Sequence, residues 1–166
     1  MLSRGGMTWY GGFIGGVLAG SLGARLNGIR VLTFANAAAA GCAAGQALGR
    51  VGCLLVGDDY GEPSDLPWAI AFSDGAPPTH VPVHPTQIYE FLWLMPVAAF
   101  LWSRRKKSPF LFGEYLIANG LGRLVIENWR VNEPIALSLT QPQWIGIALI
   151  SLGFAAWLHY RSLTAA

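Results

Sequence analysis

Charge is scarce in this chain: 11 Lys and Arg and 9 Asp and Glu among 166 residues, or 12%, where soluble domains usually carry about 25%. That argues against an ordinary soluble domain. Cysteine is scarcer still. Cys42 and Cys53 are the only two, and eleven residues of helical rise would separate them by about 16 Å, too far for a disulfide. There is no CxxC or Cys/His spacing of the kind that holds zinc. A basic, aromatic-rich patch is missing too, so nucleic acid is not an expected partner. The first residues carry one Arg and run into a glycine-rich stretch without an A-x-A-like site, so no cleavable leader is expected.

What the chain does have is apolar length. Hydrophobic residues make up 53% and mean hydropathy is +0.42, gathered in several stretches of nearly 20 residues. The expected fold class is all-α: a polytopic membrane helix bundle with five transmembrane helices, forming a single integral-membrane domain over 1–166. The spans are expected at 7–24, 31–55, 85–103, 110–129 and 141–160, with one ordered non-cytoplasmic loop over 57–84. Gly12, Gly16 and Gly20 recur every four residues in the first span, and Gly41, Gly45 and Gly49 in the second. Small residues at this period let membrane helices pack closely.

Charge asymmetry sets the expected orientation. Arg25 and Arg30 lie between spans one and two, Arg104 to Lys107 between three and four, and Arg161 after span five. All fall on one side, which the positive-inside rule makes cytoplasmic. The loop 57–84 carries Asp58, Asp59, Glu62, Asp65 and Asp74 without any Lys or Arg. The N-terminus is then outside and the C-terminus inside.

Arg50 is the sole charge between Val31 and Val56. Placing an arginine in hydrocarbon costs at least about 2.5–3.5 kcal/mol, so an acid, a water-filled cavity or an anionic ligand must offset it. The surrounding glycines leave room for a ligand, most simply a lipid phosphate. In span four, Arg123, Glu127 and Arg130 fall on one helical stripe, which should face the bundle interior. Arginines then outnumber the nearby intramembrane carboxylates, which suits an anion, and the guanidinium fork grips phosphate oxygens in pairs. Two alternatives stay open: Arg123 and Glu127 can form an internal ion pair, and Arg130 can be an interface anchor.

The run His84-Pro85-Thr86-Gln87-Ile88-Tyr89-Glu90 leads into span three. Pro at the first turn is an ordinary helix start, and Thr86, Gln87 and Glu90 can cap or hydrogen-bond within the bundle. His84 is a candidate base, histidine being the side chain suited to proton exchange near neutral pH, or else a structural histidine; His80, in the loop, has less support. Asp58 and Asp59 with the two histidines raise a metal site, but their spacing matches no ligand pattern, and no metal is expected.

These segments together resemble the prolipoprotein diacylglyceryl transferases of bacteria. The matching runs are Gly5 to Gly16 around Thr8-Trp9-Tyr10-Gly11, Gly45-Gln46 through Gly49-Arg50-Val51-Gly52 to Gly57-Asp58-Asp59-Tyr60-Gly61, His84 to Glu90, and Gly120 to Arg130. They come in the family's order and cover nearly the whole chain, starting at its first motif. A short or N-terminally truncated member, without the family's N-terminal spans, is therefore expected. The resemblance implies a multi-pass enzyme of the bacterial inner membrane that moves the diacylglyceryl group of phosphatidylglycerol onto the lipobox cysteine thiol of a preprolipoprotein. It needs no cofactor, and its partners are those two substrates and the bilayer. Arg50 matches the family's phosphatidylglycerol-binding arginine, Arg123 and Glu127 its essential arginine and glutamate, and Gly61 a functional glycine. Tyr10 falls where some members carry histidine, Cys53 where many carry asparagine, and Asn119 where some carry tyrosine.

The expected catalytic set is Arg50, Arg123, Glu127, His84 and Tyr10. The expected substrate-binding set is Arg50, Gly52, Gly57, Asp58, Gly61, Gln87, Tyr89 and Arg130. Arg50 and Arg123 would neutralise the departing phosphate. Glu127 would orient Arg123 or take the thiol proton, with His84 and Tyr10 the other candidates for the proton. Cys53 reads as a small packing residue, since the acceptor thiol belongs to the substrate. Two rivals remain: a non-catalytic phospholipid-binding protein, and a small transporter, although the chain shows no internal repeat.

Overall fold

The structure is a computed structural model that describes the backbone of residues 4–165 and the side chains of residues 15–158. Five helices form the body: α1 (Arg4–Leu26), α2 (Val31–Val56), α3 (Thr86–Arg104), α4 (Leu111–Ile126) and α5 (Gln141–Ala165). The ends of the helices fall within about five residues of the expected spans. A 3-10 turn, Glu127–Trp129, continues α4. Two short antiparallel strands, β1 (Pro134–Ala136) and β2 (Leu139–Thr140), form a hairpin ahead of α5, an addition to the all-α expectation. Among the described residues, one helix, Val31–Val56, is long and apolar enough to cross a membrane by length and composition.

Spacing on the helices explains the packing. Ala39, Ala43 and Ala47 recur every four residues on α2 and are fully buried. Ala39 and Ala43 pack with Ala98 and Leu101 of α3 and Leu111 of α4 in one cluster. The buried stripe of α3 runs Thr86, Glu90, Leu94, Ala98 and Leu101, the three- and four-residue steps of one helical face. Asn36 of α2 donates to the Pro109 carbonyl (2.7 Å) and accepts from the Phe112 amide (2.9 Å), so the α3–α4 turn sits at the start of α2. Arg104 grips Glu114 with two nitrogens (3.0 and 2.8 Å) at that same end.

The glycine stripes behave differently from the packing expected of them. A Cβ at Gly41, Gly45 or Gly49 would meet nothing within 4 Å, because the alanines carry the contacts of α2. Gly20 does pack closely, with the Phe34 ring 2.9 Å from where its Cβ would sit, while Gly16 has open space; Gly12 lies outside the described side chains. The tight seam is elsewhere. A Cβ at Gly120 would lie 2.5 Å from the Gly146 carbonyl, one at Gly146 2.9 Å from the Gly120 carbonyl, and one at Gly153 2.9 Å from the Gly113 carbonyl. Gly120→Leu is expected to wedge α4 from α5 and destabilise by about 1–3 kcal/mol or more, read as a lower thermal unfolding midpoint of the protein purified in detergent.

Polar side chains share the interior with the apolar core, and large apolar ones lie outside. Thr86, Gln87, Glu90, Asn119, Glu127 and Thr140 are buried, while Leu18, Leu48, Leu92, Trp102 and Leu152, spread over four helices, are at least 60% exposed. The loop 57–84 is ordered by bridges of Pro63 and Ile70 to Val83, with Tyr60 stacked on Phe72 at 5.5 Å between ring centres. In the hairpin turn, Leu137 and Ser138 have φ of 49° and 58°, a conformation that costs an L-residue about 1–2 kcal/mol each.

Candidate active site

Glycine and aspartate conformations bring the loop 57–84 back onto the helices. Gly57 ends α2 with φ 70°, and Asp59 follows with φ 59°, the left-handed region that Gly and Asp tolerate best. The Thr86 hydroxyl donates to the Asp59 carbonyl (2.7 Å), and the Gln87 amide to the Asp58 carbonyl (2.5 Å). The Asp59 carboxylate is thereby held over the end of α2. Gly61 passes between two other segments. Its amide donates to the His84 carbonyl (2.9 Å), it bridges to Arg130, and a Cβ there would collide with the Trp129 carbonyl.

Three arginines converge on two carboxylates. Arg50 reaches Glu90 (2.7 Å) and Asp59 (2.9 Å). Arg130 reaches the other Asp59 oxygen (2.8 Å) and Glu90 (3.2 Å). Arg123 has the weakest grip, 3.4 Å to the Glu90 oxygen it shares with Arg130. The pairing differs from the Arg123–Glu127 pair considered from spacing. The 3-10 turn begins at Glu127, whose carboxylate accepts from the Thr140 hydroxyl (2.8 Å) and the Asn132 amide (2.6 Å); its other oxygen is buried, 4.0 Å from Arg130. Within the spans the three arginines still outnumber the nearby carboxylates, Glu90 and Glu127, and Asp59 of the loop brings the cluster to three of each. Burial raises the Asp59 pKa, but Arg130 and Arg50 more than offset it and hold this carboxyl below its ordinary value. A depressed acid contributes its ion-pair stability at neutral pH and loses it only as pH falls through the lowered value.

Beside this cluster lies a cavity of about 360 Å³, lined by Gly45, Gly49 and Arg50 of α2, Glu90 and Trp93 of α3, and Asn119 and Arg123 of α4. Gly45 and Gly49 keep it open, since no side chain takes up that volume. Deeper polar donors are ordered on Gln46, whose carbonyl oxygen accepts from Tyr115 (2.9 Å) and Asn119 (2.5 Å). Cys53 also lines the cavity, with Arg50 Nη1 3.8 Å from its Sγ. Cys53, Asp58 and Asp59 offer atoms within 4.8 Å of one another. Both Asp59 oxygens are already taken by arginines, a poor setting for a cation.

Of the sequence candidates, Arg50 and Arg123 line this cavity, and Arg130 joins the ion-pair cluster behind it. Gly57, Gly61, Asp58 and Gln87 shape the loop, and Gly52 is exposed with open space around it. His84 and Tyr89 lie in a second, aromatic cleft of about 410 Å³ with Trp68 and Trp129. There Trp68 donates to the Tyr89 oxygen (2.8 Å), which lies 3.1 Å from His84 Nδ1. Trp93 and Ile126 line both spaces. The Tyr10 side chain lies outside the described residues. Sequence reasoning undervalued Glu90 and Asp59. The signal was available for Glu90, a lone acid early in an apolar span, by the same cost argument that singled out Arg50.

A family model described as prolipoprotein diacylglyceryl transferase matches residues 1–159. The chain belongs to this family. It is 35% identical over 170 residues to the phosphatidylglycerol–prolipoprotein diacylglyceryl transferase of Gloeobacter violaceus, covering 96% of this chain and 63% of that protein. The transferases of the same name from Paenarthrobacter aurescens and Clostridium tetani are each 34% identical, over 96% and 89% of this chain and 56% and 61% of their own lengths. The chain thus spans roughly three-fifths of the relatives it matches. Within this transferase family, the cavity with its paired arginines is the candidate active site.

Proposed function

We propose that this chain works as a phosphatidylglycerol–prolipoprotein diacylglyceryl transferase, as a multi-pass protein of the bacterial inner membrane with its N-terminus outside. The observation that carries the reading is the cavity walled by Arg50 and Arg123 and kept open by Gly45 and Gly49. Buried polar residues inside an apolar exterior support the membrane setting. So does the gathering of the α2 start and the basic α3–α4 turn at one end, away from the acidic loop.

In this reading the lipid phosphate enters the cavity and takes guanidinium donors of Arg50 and Arg123. The lipobox thiol, its pKa lowered by the nearby cations, attacks the glyceryl carbon that carries the phosphate ester. A carbon–sulfur bond forms, the carbon–oxygen bond breaks, and glycerol phosphate leaves with the bonding electrons. The arginines offset the charge that develops on the leaving oxygen, an effect that strengthens where water is excluded. Arg123, with its single long contact to Glu90, is the arginine freest to follow that charge. Glu127, His84 and Tyr10 remain the candidates for the thiol proton. Glu127 in addition ties the end of α4 to the hairpin.

The test is transfer from phosphatidylglycerol to a lipobox peptide in liposomes. Wild type is expected to yield thioether-lipidated peptide, with Arg50→Ala reduced by a factor of about 10² or more, the scale of losing one charge-stabilising donor. If wild type binds the lipid without product and Arg50→Ala loses that binding, the outcome favours a phospholipid binder, or a piece that needs further helices for turnover, over the transferase. Glu127→Gln separates the two again: an enzyme loses turnover, whereas a binder keeps its lipid.

A further inference from the structure

The hairpin between α4 and α5 has its apolar residues on the outside. Every residue from 131 to 138 is exposed, with Val131 at 67%, Ile135 at 66% and Leu137 at 83%. Glu133 is the only charge between Val131 and Thr140. The turn itself is unusual. Both central residues, Leu137 and Ser138, have positive φ, a geometry that favours Asn-Gly or Asp-Gly. Here a leucine holds the strained position and carries the most exposed side chain of the hairpin. Backbone strain at a residue whose side chain makes no packing contribution points to a use for that side chain outside the fold.

Position narrows what that use is. The hairpin closes on Thr140, and α5 starts at the next residue, so the tip cannot stray far from the level at which α5 begins. Two tryptophans flank it. Trp144, in the first turn of α5, donates its indole N–H to the Ala136 carbonyl (3.3 Å), and Trp129, 40% exposed, ends the 3-10 turn. Tryptophan on both sides of an apolar, nearly uncharged tip is the composition of a membrane–water interface. A soluble partner would more often be met by a polar rim. We infer that the hairpin 131–140 is an interfacial lipid anchor that seats Leu137, Ile135 and Val131 in the outer leaflet beside the cavity. This rests on the membrane reading above. The anchor is tied to the site, because Asn132 and Thr140, at its two ends, are the residues that donate to Glu127. Lipid seating of the tip therefore sets the depth of the Glu127 carboxylate relative to the headgroups.

The experiment places an environment-sensitive dye at single cysteines in a Cys42→Ala, Cys53→Ala background, with the full chain reconstituted in phosphatidylglycerol-containing liposomes. The positions are Leu137→Cys, Ile135→Cys as a second tip position should the first misfold, Leu152→Cys on the exposed face of α5, and Asp74→Cys in the outer loop. At 137 and 135 the expected result is emission lost to spin-labelled lipid and shielded from aqueous iodide. Position 152 should respond to lipid quencher alone and position 74 to iodide alone. Iodide quenching at 137 and 135, with 152 still quenched by lipid, overturns the anchor and leaves the membrane reading standing. Shielding of the tip from both quenchers also overturns it, since the hairpin is then covered by protein. Iodide quenching at 152 removes the membrane reading and the anchor together.

Discussion

Glu90→Gln is expected to lower the thermal stability of this protein and to make what remains depend on anionic lipid. Glu90 is 6% exposed and is the one carboxylate that touches all three arginines, Arg50 at 2.7 Å, Arg130 at 3.2 Å and Arg123 at 3.4 Å. Glutamine keeps the shape and one accepting oxygen, so the change isolates the charge. Asp59 would then hold Arg50 and Arg130 alone, with Glu127 4.0 Å from Arg130, and Arg123 would lose the carboxylate it touches. Removing one partner of a buried ion pair costs about 3–5 kcal/mol because the other charge is left uncompensated. Exposure of Arg123 to the cavity, 24% of its side chain, puts this case at the lower end. A phosphate in the cavity supplies the missing negative charge, so phosphatidylglycerol should raise the unfolding midpoint of Glu90→Gln more than that of wild type. A zwitterionic lipid is the control. Equal responses of variant and wild type to the anionic lipid would argue against an anion site there.

Gly61→Ala is expected to act on the same cluster without touching any of its charges. The added methyl would collide with the Trp129 carbonyl oxygen and come within 2.9 Å of His84 Cβ and Thr86 Cγ2. The first of these is backbone, locked by the Glu62 amide to the Trp129 carbonyl (2.9 Å), and cannot rotate away. The loop must move instead, carrying Asp59 away from Arg130, which follows Trp129. Overpacking of this kind costs about 1–3 kcal/mol, occasionally more, and transfer activity should fall with it. The mechanism is checked with Asp59→Asn. If Gly61→Ala works by displacing Asp59, the double variant loses less stability than the two single losses added together, as coupled neighbours do. Full additivity would assign the effect to packing alone.

Much of the frame was legible because apolar runs and proline-led helix starts are local signals. The positions of all five helices followed from them. The arginines of the candidate site were legible by cost: Arg50 and Arg123 sit among residues that cannot solvate a charge. Their partners were harder to read. Asp59 looks like an exposed loop acid until Gly57 and Asp59 itself turn the chain back, and positive φ leaves little trace in sequence at an aspartate. The alternative of an Arg123–Glu127 pair rests on helical arithmetic, which fails because the α-helix ends at Ile126 and the next turn is tighter. The hairpin went unread because its turn carries Leu-Ser where Asn-Gly is the usual signal. The glycine reading missed the real seam because Gly113 and Gly120, like Gly146 and Gly153, are spaced by seven rather than four.

That spacing by seven has a mechanical consequence. Two full turns separate the glycines on each of two antiparallel helices, so the close contacts Gly120–Gly146 and Gly113–Gly153 recur in step. Sliding α5 by one turn, about 5.4 Å, would bring side chains against backbone at both levels at once. The α4–α5 pair is thus a strut whose register cannot slip, and it carries Arg123 on one wall of the cavity. On the opposite wall, Gly45 and Gly49 of α2 meet no side chain within 4 Å among the described residues. A bulky two-chain guest would meet one stiff wall and one bare wall, and the room to admit it lies on the α2 side.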